Sequence, residues 1–516
     1  MTTTGVGAAE SAAPAPEPAA ATAAATAGPR IEDADLARLP GPRRHLDVIE
    51  EDLLAGRSCV WYFPDTVVAS GRADFFVREL AHRLDAVVPV PGVASPAARD
   101  AGPASIPAQR AATDQPHRPW ADAEDEWETE DGWDTDLPDD PYSSLLGRLV
   151  VPGGTGAGRA GVAPAVQETT TLEERLAKEL GVTGDPVEAL AERAAAGHTP
   201  HLVVVRCWDE SSPEEAARLL RVAQATFHEA GLPGPARPRL LLTARADDLP
   251  RAALGSQGRA VVHWWWRVWT RLDTEVLMAW RTRTGAADAA GHLLRRVTDA
   301  VVAEVCGPDI DRALALRDTW DGGDLTTLRD ALRRVLPAHP TDGAEPVPHR
   351  RMSTAHASAP DAEIHDAWAR GAADSWDGRI RPLHSHSLLD ADSQELRVLV
   401  CHAQNRVLLP LIEEARTALI HLVPGLLRTQ FFTLADFCEK ARPPHEKALS
   451  ATLPDLEELE IGGLDHASYM LNLTTGQRQR LHIMRKARNR LSHRTPLDHD
   501  ALVVLTKALI TDWTAS

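Results

Sequence analysis

The sequence predicts a multidomain protein in which an α/β domain with a parallel sheet precedes an all-α helical bundle. Four apolar runs of strand length, SCVWYFP, HLVVVRCWDE, PRLLLTARADDLP and AVVHWWW, alternate with segments of helical period. Strands that alternate with helices in this way are typical of a parallel sheet covered on both faces. Beyond residue 361 almost every segment has helical period, so the C-terminal part is expected to be all-α.

Changes in composition divide the 516 residues into segments. The expected segments are, in chain order, a disordered Ala/Pro tail at 1–30, the α/β domain at 31–285 with an acidic disordered insertion at about 91–165, a small helical appendage at 286–336, a linker at 337–360 and the all-α domain at 361–516. The tail and the insertion have few large apolar side chains, and such segments cannot bury enough surface to offset chain entropy.

The overall composition excludes several classes of protein. A formal net charge of -19 argues against general affinity for nucleic acid, because phosphate binding relies on excess Lys and Arg. Five cysteines lie far apart, without a C-x-x-C pair or a Cys/His set at zinc spacing, so we expect a reducing cytoplasm, no metal and no cofactor. No signal peptide or long apolar stretch is present, so a membrane protein is not expected.

The strand HLVVVRCWDE ends on two carboxylates, Asp209 and Glu210, and the next strand carries the run LLLTAR. This order of elements resembles that of P-loop NTPases, particularly the STAND class of signalling ATPases. By this resemblance Asp209 would hold Mg²⁺ through water, and Glu210 would orient the attacking water. The alternative is a generic α/β domain in which both carboxylates merely end a strand.

The phosphate loop expected from this resemblance is degraded. After SCVWYFP, Thr66 stands where the first glycine belongs, and Ala73 stands where a magnesium-binding Ser or Thr belongs. A second stretch, GGTGAGRAG, has the glycine spacing but also lacks the Lys and the Ser or Thr. We therefore predict no ATPase activity. The predicted remnant of a nucleotide site comprises Gly71, Arg72, Asp209 and Glu210.

The stretch RKARNRLSHRTPL, near the end of the chain, reads as the last turns of a helix that must stop before Pro496. Asn489 and His493 are four residues apart and share a helix face, with Arg488 beside them. Seven Lys and Arg residues and no acidic residue lie between Arg478 and Arg494. One explanation is structural, since cations near a helix C-terminus interact favourably with its free carbonyls.

The same residues resemble the signature of the HEPN family of small helical domains. That signature is an Arg, a polar residue, a short variable spacer and a His at the end of a helix, and Arg488, Asn489 and His493 match it. Many members are metal-independent ribonucleases whose cleft is built from two domains. The resemblance therefore implies a homodimer through the C-terminal domain, whereas members that only bind or dimerise represent the alternative.

The chemistry of RNA cleavage explains these residue types. Imidazole titrates near neutral pH, so His493 would move protons, and a fixed guanidinium, Arg488, would stabilise the additional charge of the phosphorane. Asn489 would orient the histidine or the scissile phosphate. The basic residues expected to follow the RNA backbone are Arg485, Lys486 and Arg490.

The sequence thus favours a regulated, metal-independent endoribonuclease that acts as the effector of a bacterial defence or conflict system. Its expected partners are the RNA substrate, a second copy of the chain and an upstream sensor or protease. In this hypothesis, the N-terminal part of the chain restrains the C-terminal domain. The alternative is a non-catalytic adaptor that recruits partner proteins through both domains, with the acidic insertion, which carries Trp127 and Trp133, as a docking segment.

Overall fold

The computed structural model describes most of the predicted folded regions. The described residues are 31–93, 170–210, 212–250, 254, 260–281, 288–336, 358–383, 386–389, 394–442 and 455–513. The described residues before and after the acidic insertion belong to one compact unit. The predicted N-terminal tail, most of the acidic insertion with its GGTGAGRAG stretch, and most of the predicted linker lie outside the described residues.

A five-stranded parallel sheet forms the centre of the α/β part, which confirms the predicted parallel sheet. Its strands are β1 Cys59–Tyr62, β2 Val87–Pro89, β3 Leu202–Arg206, β4 Arg239–Ala244 and β5 Val261–Trp264. They are arranged in the order β2-β3-β4-β1-β5. The central strands β1 and β4 are buried along their whole length, as their continuous apolar sequences require.

Helices cover this sheet, and some of them begin at recognisable capping signals. They are α1 Asp33–Ala37, α2 Pro40–Leu54, α3 Asp65–Ala69, α4 Arg72–His82, α5 Leu172–Leu180, α6 Pro186–Ala195, α7 Pro213–Glu229 and α8 Arg271–Arg281. The start of α5 is a capping box, because the side chains of Thr171 and Glu174 each accept a hydrogen bond from the other residue's backbone N–H.

The C-terminal region is mainly helical. Its helices, with those of the predicted appendage, are α9 Ala289–Cys306, α10 Ile310–Thr319, α11 Leu325–Val335, α12 Ala362–Ala369, α13 Gln394–Leu426, α14 Leu434–Ala441, α15 Ile461–His466, α16 Thr475–Ser492 and α17 His499–Ile510. Among the described residues, none of the helices has the length and apolar character needed to cross a membrane.

A short antiparallel hairpin interrupts this helical region, so the expectation of an all-α segment after residue 361 is wrong at this point. Strands β6 Ala373–Trp376 and β7 Arg379–Pro382 are joined by Asp377 and Gly378, with φ angles of 51° and 72°. Positive φ at both turn residues is the geometry for which the Asp-Gly pair is selected. The Asp-Gly pair is visible in the sequence, but it is only two residues long and lies within a segment of helical period.

The sheet and the first elements of the helical region share a hydrophobic core, and the helices from the middle of α13 onward form a second core. Trp264 contacts Trp368 on α12 edge to face at 5.1 Å, and the Trp368 indole donates to the Trp265 carbonyl at 2.9 Å. Trp266 and Trp269 are also buried. The helical region is therefore packed directly against the sheet through aromatic side chains.

Candidate functional site

The predicted remnant of a nucleotide site lies at the carboxyl edge of the sheet, where parallel strands place the residues that follow them. Helix α3 occupies the segment after β1, where a phosphate loop would be. The N–H groups of Val68, Ser70 and Gly71 donate to carbonyls of the same segment, on Pro64, Thr66 and Val68 respectively. A phosphate cradle needs these N–H groups free, and here they stabilise a helix turn instead.

Arg72, which stands in the position of the phosphate-binding lysine, is committed to protein carboxylates. Its Nη1 and Nη2 atoms donate to the Asp311 carboxylate at 2.7 and 2.5 Å, and its Nε lies 3.5 Å from an oxygen of Asp33. Gly71 adopts a left-handed conformation with φ 78° and forms the N-cap of α4. Both residues thus have structural roles at the start of this helix.

The two carboxylates after β3 are also paired with arginines. Asp209 lies 2.9 Å from Nε of Arg206, and Glu210 accepts a hydrogen bond from Arg175. Burial raises the pKa of both carboxyls, and the neighbouring arginines oppose that effect. Where a water-bound Mg²⁺ would be expected, a guanidinium therefore provides the positive charge. Among the described residues, no hydrogen bond or ion pair joins these carboxylates to Gly71 or Arg72 directly, but Arg206 also pairs with Asp74, two residues after Arg72, at 3.1 Å.

The second predicted site is at the end of α16, which terminates at Ser492, before the proline that was expected to stop it. His493 is the C-cap, and its backbone N–H donates to the Asn489 carbonyl at 3.0 Å. Asn489 and His493 are exposed, and the Arg488 side chain is 33% exposed. The structure therefore brings the three residues of the predicted motif to one accessible helix end.

Three of the basic residues at this helix end have carboxylate partners from other parts of the chain. Arg488 pairs with Glu460 at 3.1 Å, Arg485 with Asp465 at 2.9 Å and Arg490 with Asp498 at 3.3 Å. The segment from Arg478 to Arg494 has no acidic residue in sequence, but three of its seven cations are paired with carboxylates in space. Lys486 is exposed and has no ion-pair partner among the described residues.

The turn after His493 is fixed by α13, through residues that the sequence did not single out. Gln404 exchanges two hydrogen bonds with the backbone of Leu497, at 2.9 and 2.7 Å. The side chains of Cys401 and Asn405 both donate to the Leu491 carbonyl at 3.4 Å. These contacts hold the backbone on both sides of His493 in place.

A cluster of metal-ligand residue types lies at the opposite end of the sheet. Donor atoms of Asp52, Cys59 and His263 are all within 4.8 Å of one another, and all three residues are buried. Asp52 is already paired, because one oxygen lies 2.9 Å from His263 Nε2 and the other contacts Arg57. Burial, followed by the Asp52 charge, raises the pKa of the Cys59 thiol. Burial lowers the pKa of His263, so Arg57 is the cation that balances the Asp52 charge in this cluster.

No protein-family model, curated protein or solved structure matches the chain. The class of the protein therefore rests on its own architecture. It combines a parallel five-stranded α/β sheet with a mainly helical C-terminal region. The accessible Arg488, Asn489 and His493 at the end of α16 are the candidate functional site.

Proposed function

We propose that the protein is a metal-independent endoribonuclease that uses Arg488, Asn489 and His493. The observation that carries the proposal is the placement of a guanidinium, an amide and an imidazole on one exposed helix end. Contacts from α13 hold the backbone around them, and such preorganisation is needed for proton transfer and charge stabilisation.

The proposed reaction is attack of the ribose 2′-OH on the adjacent phosphorus. His493 takes the hydroxyl proton or protonates the leaving 5′-oxygen, and Arg488 stabilises the charge that develops on the phosphorane. Asn489, one helix turn before His493, orients the imidazole or the phosphate. The products are a 2′,3′-cyclic phosphate and a 5′-hydroxyl. Lys486, Arg485 and Arg490 contact the phosphates of the RNA backbone. To do so, Arg485 leaves Asp465 and Arg490 leaves Asp498.

A second copy of the chain completes the site in this proposal. One helix end supplies a single imidazole and a single Arg488 guanidinium, whereas cleavage requires both a general base and a general acid. Two helix ends in a homodimer would supply both. The α/β part and an upstream sensor or protease would control this assembly in a bacterial defence system.

The test is incubation of the full chain with total RNA in EDTA, followed by chemical analysis of the fragment ends. The parent protein should produce cyclic phosphate ends, and the His493→Ala and Arg488→Ala variants should be at least about 100-fold slower. His466→Ala removes another exposed histidine, from the neighbouring α15, and serves as the control. Cleavage that persists in His493→Ala, or that is lost equally in His466→Ala, would contradict the proposal.

The second candidate function is a non-catalytic adaptor, which exposed aromatic residues favour. Phe431 is 69% exposed and Tyr469 is 49% exposed, and both lie near Phe432. Exposed apolar groups of this kind are typical of protein-binding surfaces. An adaptor would keep its partners in the His493→Ala variant and lose them in Phe431→Ser, while the parent protein would leave RNA intact.

A further inference from the structure

A cleft rich in arginine lies beside the helical region, and neither candidate function above uses it. We call it the arginine cleft. The charged residues that line it are Arg271, Arg379, Arg381, Arg406, Glu304 and Asp377. Four arginines against two carboxylates leave an excess of two positive charges in a chain whose net charge is -19. Its volume of about 560 Å³ is within the range of small-molecule sites.

Two of the arginines form the rigid floor of the cleft. Arg271 Nη1 donates to Glu304 at 2.5 Å, and Arg381 Nη2 donates to the Glu304 backbone carbonyl at 2.5 Å. The Arg271 guanidinium lies 4.0 Å from the ring centroid of Trp376, and the Arg381 guanidinium lies 5.4 Å from it. Both charges are therefore fixed, by a shared glutamate and by an aromatic face.

The other two arginines are available to a ligand. Arg406 is 48% exposed, and its closest carboxylate among the described residues, Asp377, is 3.8 Å away. Arg379 is exposed and makes no ion pair within the described part of the chain. A guanidinium can bind phosphate through two parallel hydrogen bonds. These two side chains are thus suited to a phosphate at the mouth of the cleft.

Neutral polar groups in the same cleft indicate more than a simple anion. Among the described residues, the buried Oδ1 of Asn405 and the buried Nε1 of Trp376 have no hydrogen-bond partner. Unpaired buried polar atoms are costly, and a ligand hydroxyl can donate to Oδ1 while Nδ2 keeps its hydrogen bond to the Leu491 carbonyl. Burial lowers the pKa of His402, Glu304 opposes this effect, and Arg379 and Arg494 add to it, which favours the neutral ring with one donor and one acceptor nitrogen.

We propose that the arginine cleft binds a ribose phosphate, with Arg379 and Arg406 on the phosphate and with Asn405 and His402 on sugar hydroxyls. The ligand is either part of an RNA strand or a free mononucleotide. The cleft adjoins the end of α16, because the Asn405 amide also donates to the Leu491 carbonyl, two residues before His493. The proposal does not depend on the ribonuclease function, since the ligand can bind whether or not His493 cleaves RNA.

The experiment uses the full chain in EDTA with one RNA probe and three small-molecule probes. A fluorescein-labelled single-stranded RNA decamer is titrated by anisotropy with chains that also carry His493→Ala, which leaves the RNA intact, and AMP, dAMP and inorganic phosphate are titrated by calorimetry. The Arg379→Glu/Arg406→Glu variant should bind at least about tenfold more weakly. The control, Arg43→Glu/Arg44→Glu, makes the same charge change at two exposed positions of α2 and should bind within about twofold of the parent.

The outcomes separate the two sources of the ligand. If RNA binds and AMP does not, and binding is lost only in the Arg379→Glu/Arg406→Glu variant, the ligand is part of an RNA strand. If AMP binds, the ligand is a mononucleotide. Binding of neither RNA nor AMP, or equal loss in the control variant, would overturn the proposal. Where AMP binds, inorganic phosphate or dAMP that binds as tightly as AMP would also overturn it. The His493→Ala chain should bind like the parent, so failure of cleavage is distinguishable from failure of this site.

Discussion

Gln404 and Leu497, 93 residues apart in the chain, are joined by two hydrogen bonds between the side-chain amide of the first and the backbone of the second. The amide donates to the Leu497 carbonyl at 2.9 Å and accepts from the Leu497 N–H at 2.7 Å. Both residues are buried. Helix α13 therefore fixes the backbone four residues after His493, and the position of the candidate site depends on this contact.

Replacing Gln404 by Ala should destabilise the protein. The change leaves the buried Leu497 N–H and carbonyl without partners, and we expect the free energy of unfolding to fall by about 2 to 4 kcal/mol. Urea denaturation of the full chain measures this. Glu414→Ala changes an exposed residue of the same helix and should stay within about 0.5 kcal/mol of the parent. Equal effects of the two changes would show that the contact contributes little.

Replacing Glu460 by Gln should increase RNA cleavage. Glu460 pairs with Arg488 at 3.1 Å, and its loss leaves the guanidinium free for phosphate. Because an exposed ion pair is worth at most about 1 kcal/mol, we expect a two- to fivefold increase, roughly. Initial cleavage rates of a labelled RNA provide the measurement. Glu457→Gln removes the same charge from a nearby exposed position, and an equal increase there would mean that general repulsion is responsible.

The stability of the protein should depend on pH through Asp374. Burial raises the pKa of this carboxyl to about 7, although its Oδ1 accepts hydrogen bonds from the backbone N–H groups of Arg267 and Ser375. The folded state then binds a proton more tightly than the unfolded state, whose pKa is about 3.9. The contribution of protonated Asp374 to the free energy of unfolding is fully present below pH 4 and is lost as the pH rises toward 7.

The variant Asp374→Asn tests this dependence, because the amide oxygen can accept both backbone hydrogen bonds and cannot ionise. The free energy of unfolding of the variant, relative to the parent, should rise by roughly 1.4 kcal/mol per pH unit between pH 4 and 7. Urea denaturation across that range measures it. Asp366→Asn, at a side chain that is 83% exposed, should give a flat difference. A flat difference for Asp374→Asn would contradict the prediction.

Mg·ATP should not bind at the carboxyl edge of the sheet. Calorimetry of the Arg379→Glu/Arg406→Glu variant, in which the arginine cleft does not contribute, at up to about 1 mM nucleotide, the upper end of usual Michaelis constants, should show no saturable heat. In the same background, Asp311→Ala removes the closer of the two carboxylate partners of Arg72 but leaves the N–H groups of α3 engaged. This variant should also fail to bind. If Asp311→Ala bound Mg·ATP at this edge and the protein without this change did not, the ion pair, and not α3, would be what prevents nucleotide binding.

Local patterns in the sequence were sufficient to predict much of the fold. The apolar runs of β1, β3, β4 and β5 lie between helical segments, and all four form strands of the parallel sheet. The helix end before Pro496 was also predicted, because proline disfavours helical conformation in the residue that precedes it. These features depend on residues that are close together in the chain, so hydrophobic period and backbone restriction were enough to predict them.

The surroundings of each candidate site were decided by tertiary structure. Arg72 finds its carboxylate partner 239 residues away, and Arg488 finds its partner 28 residues away. Both arginines looked free in sequence. The arginine cleft likewise joins α8, α9, the β6–β7 hairpin and α13, which come together only when the helical region packs against the sheet. The sequence by itself determined which segments are strands or helices, because those preferences are local. The partner of each charged side chain is set by long-range packing, because ion pairs and hydrogen bonds act between atoms that are close in space.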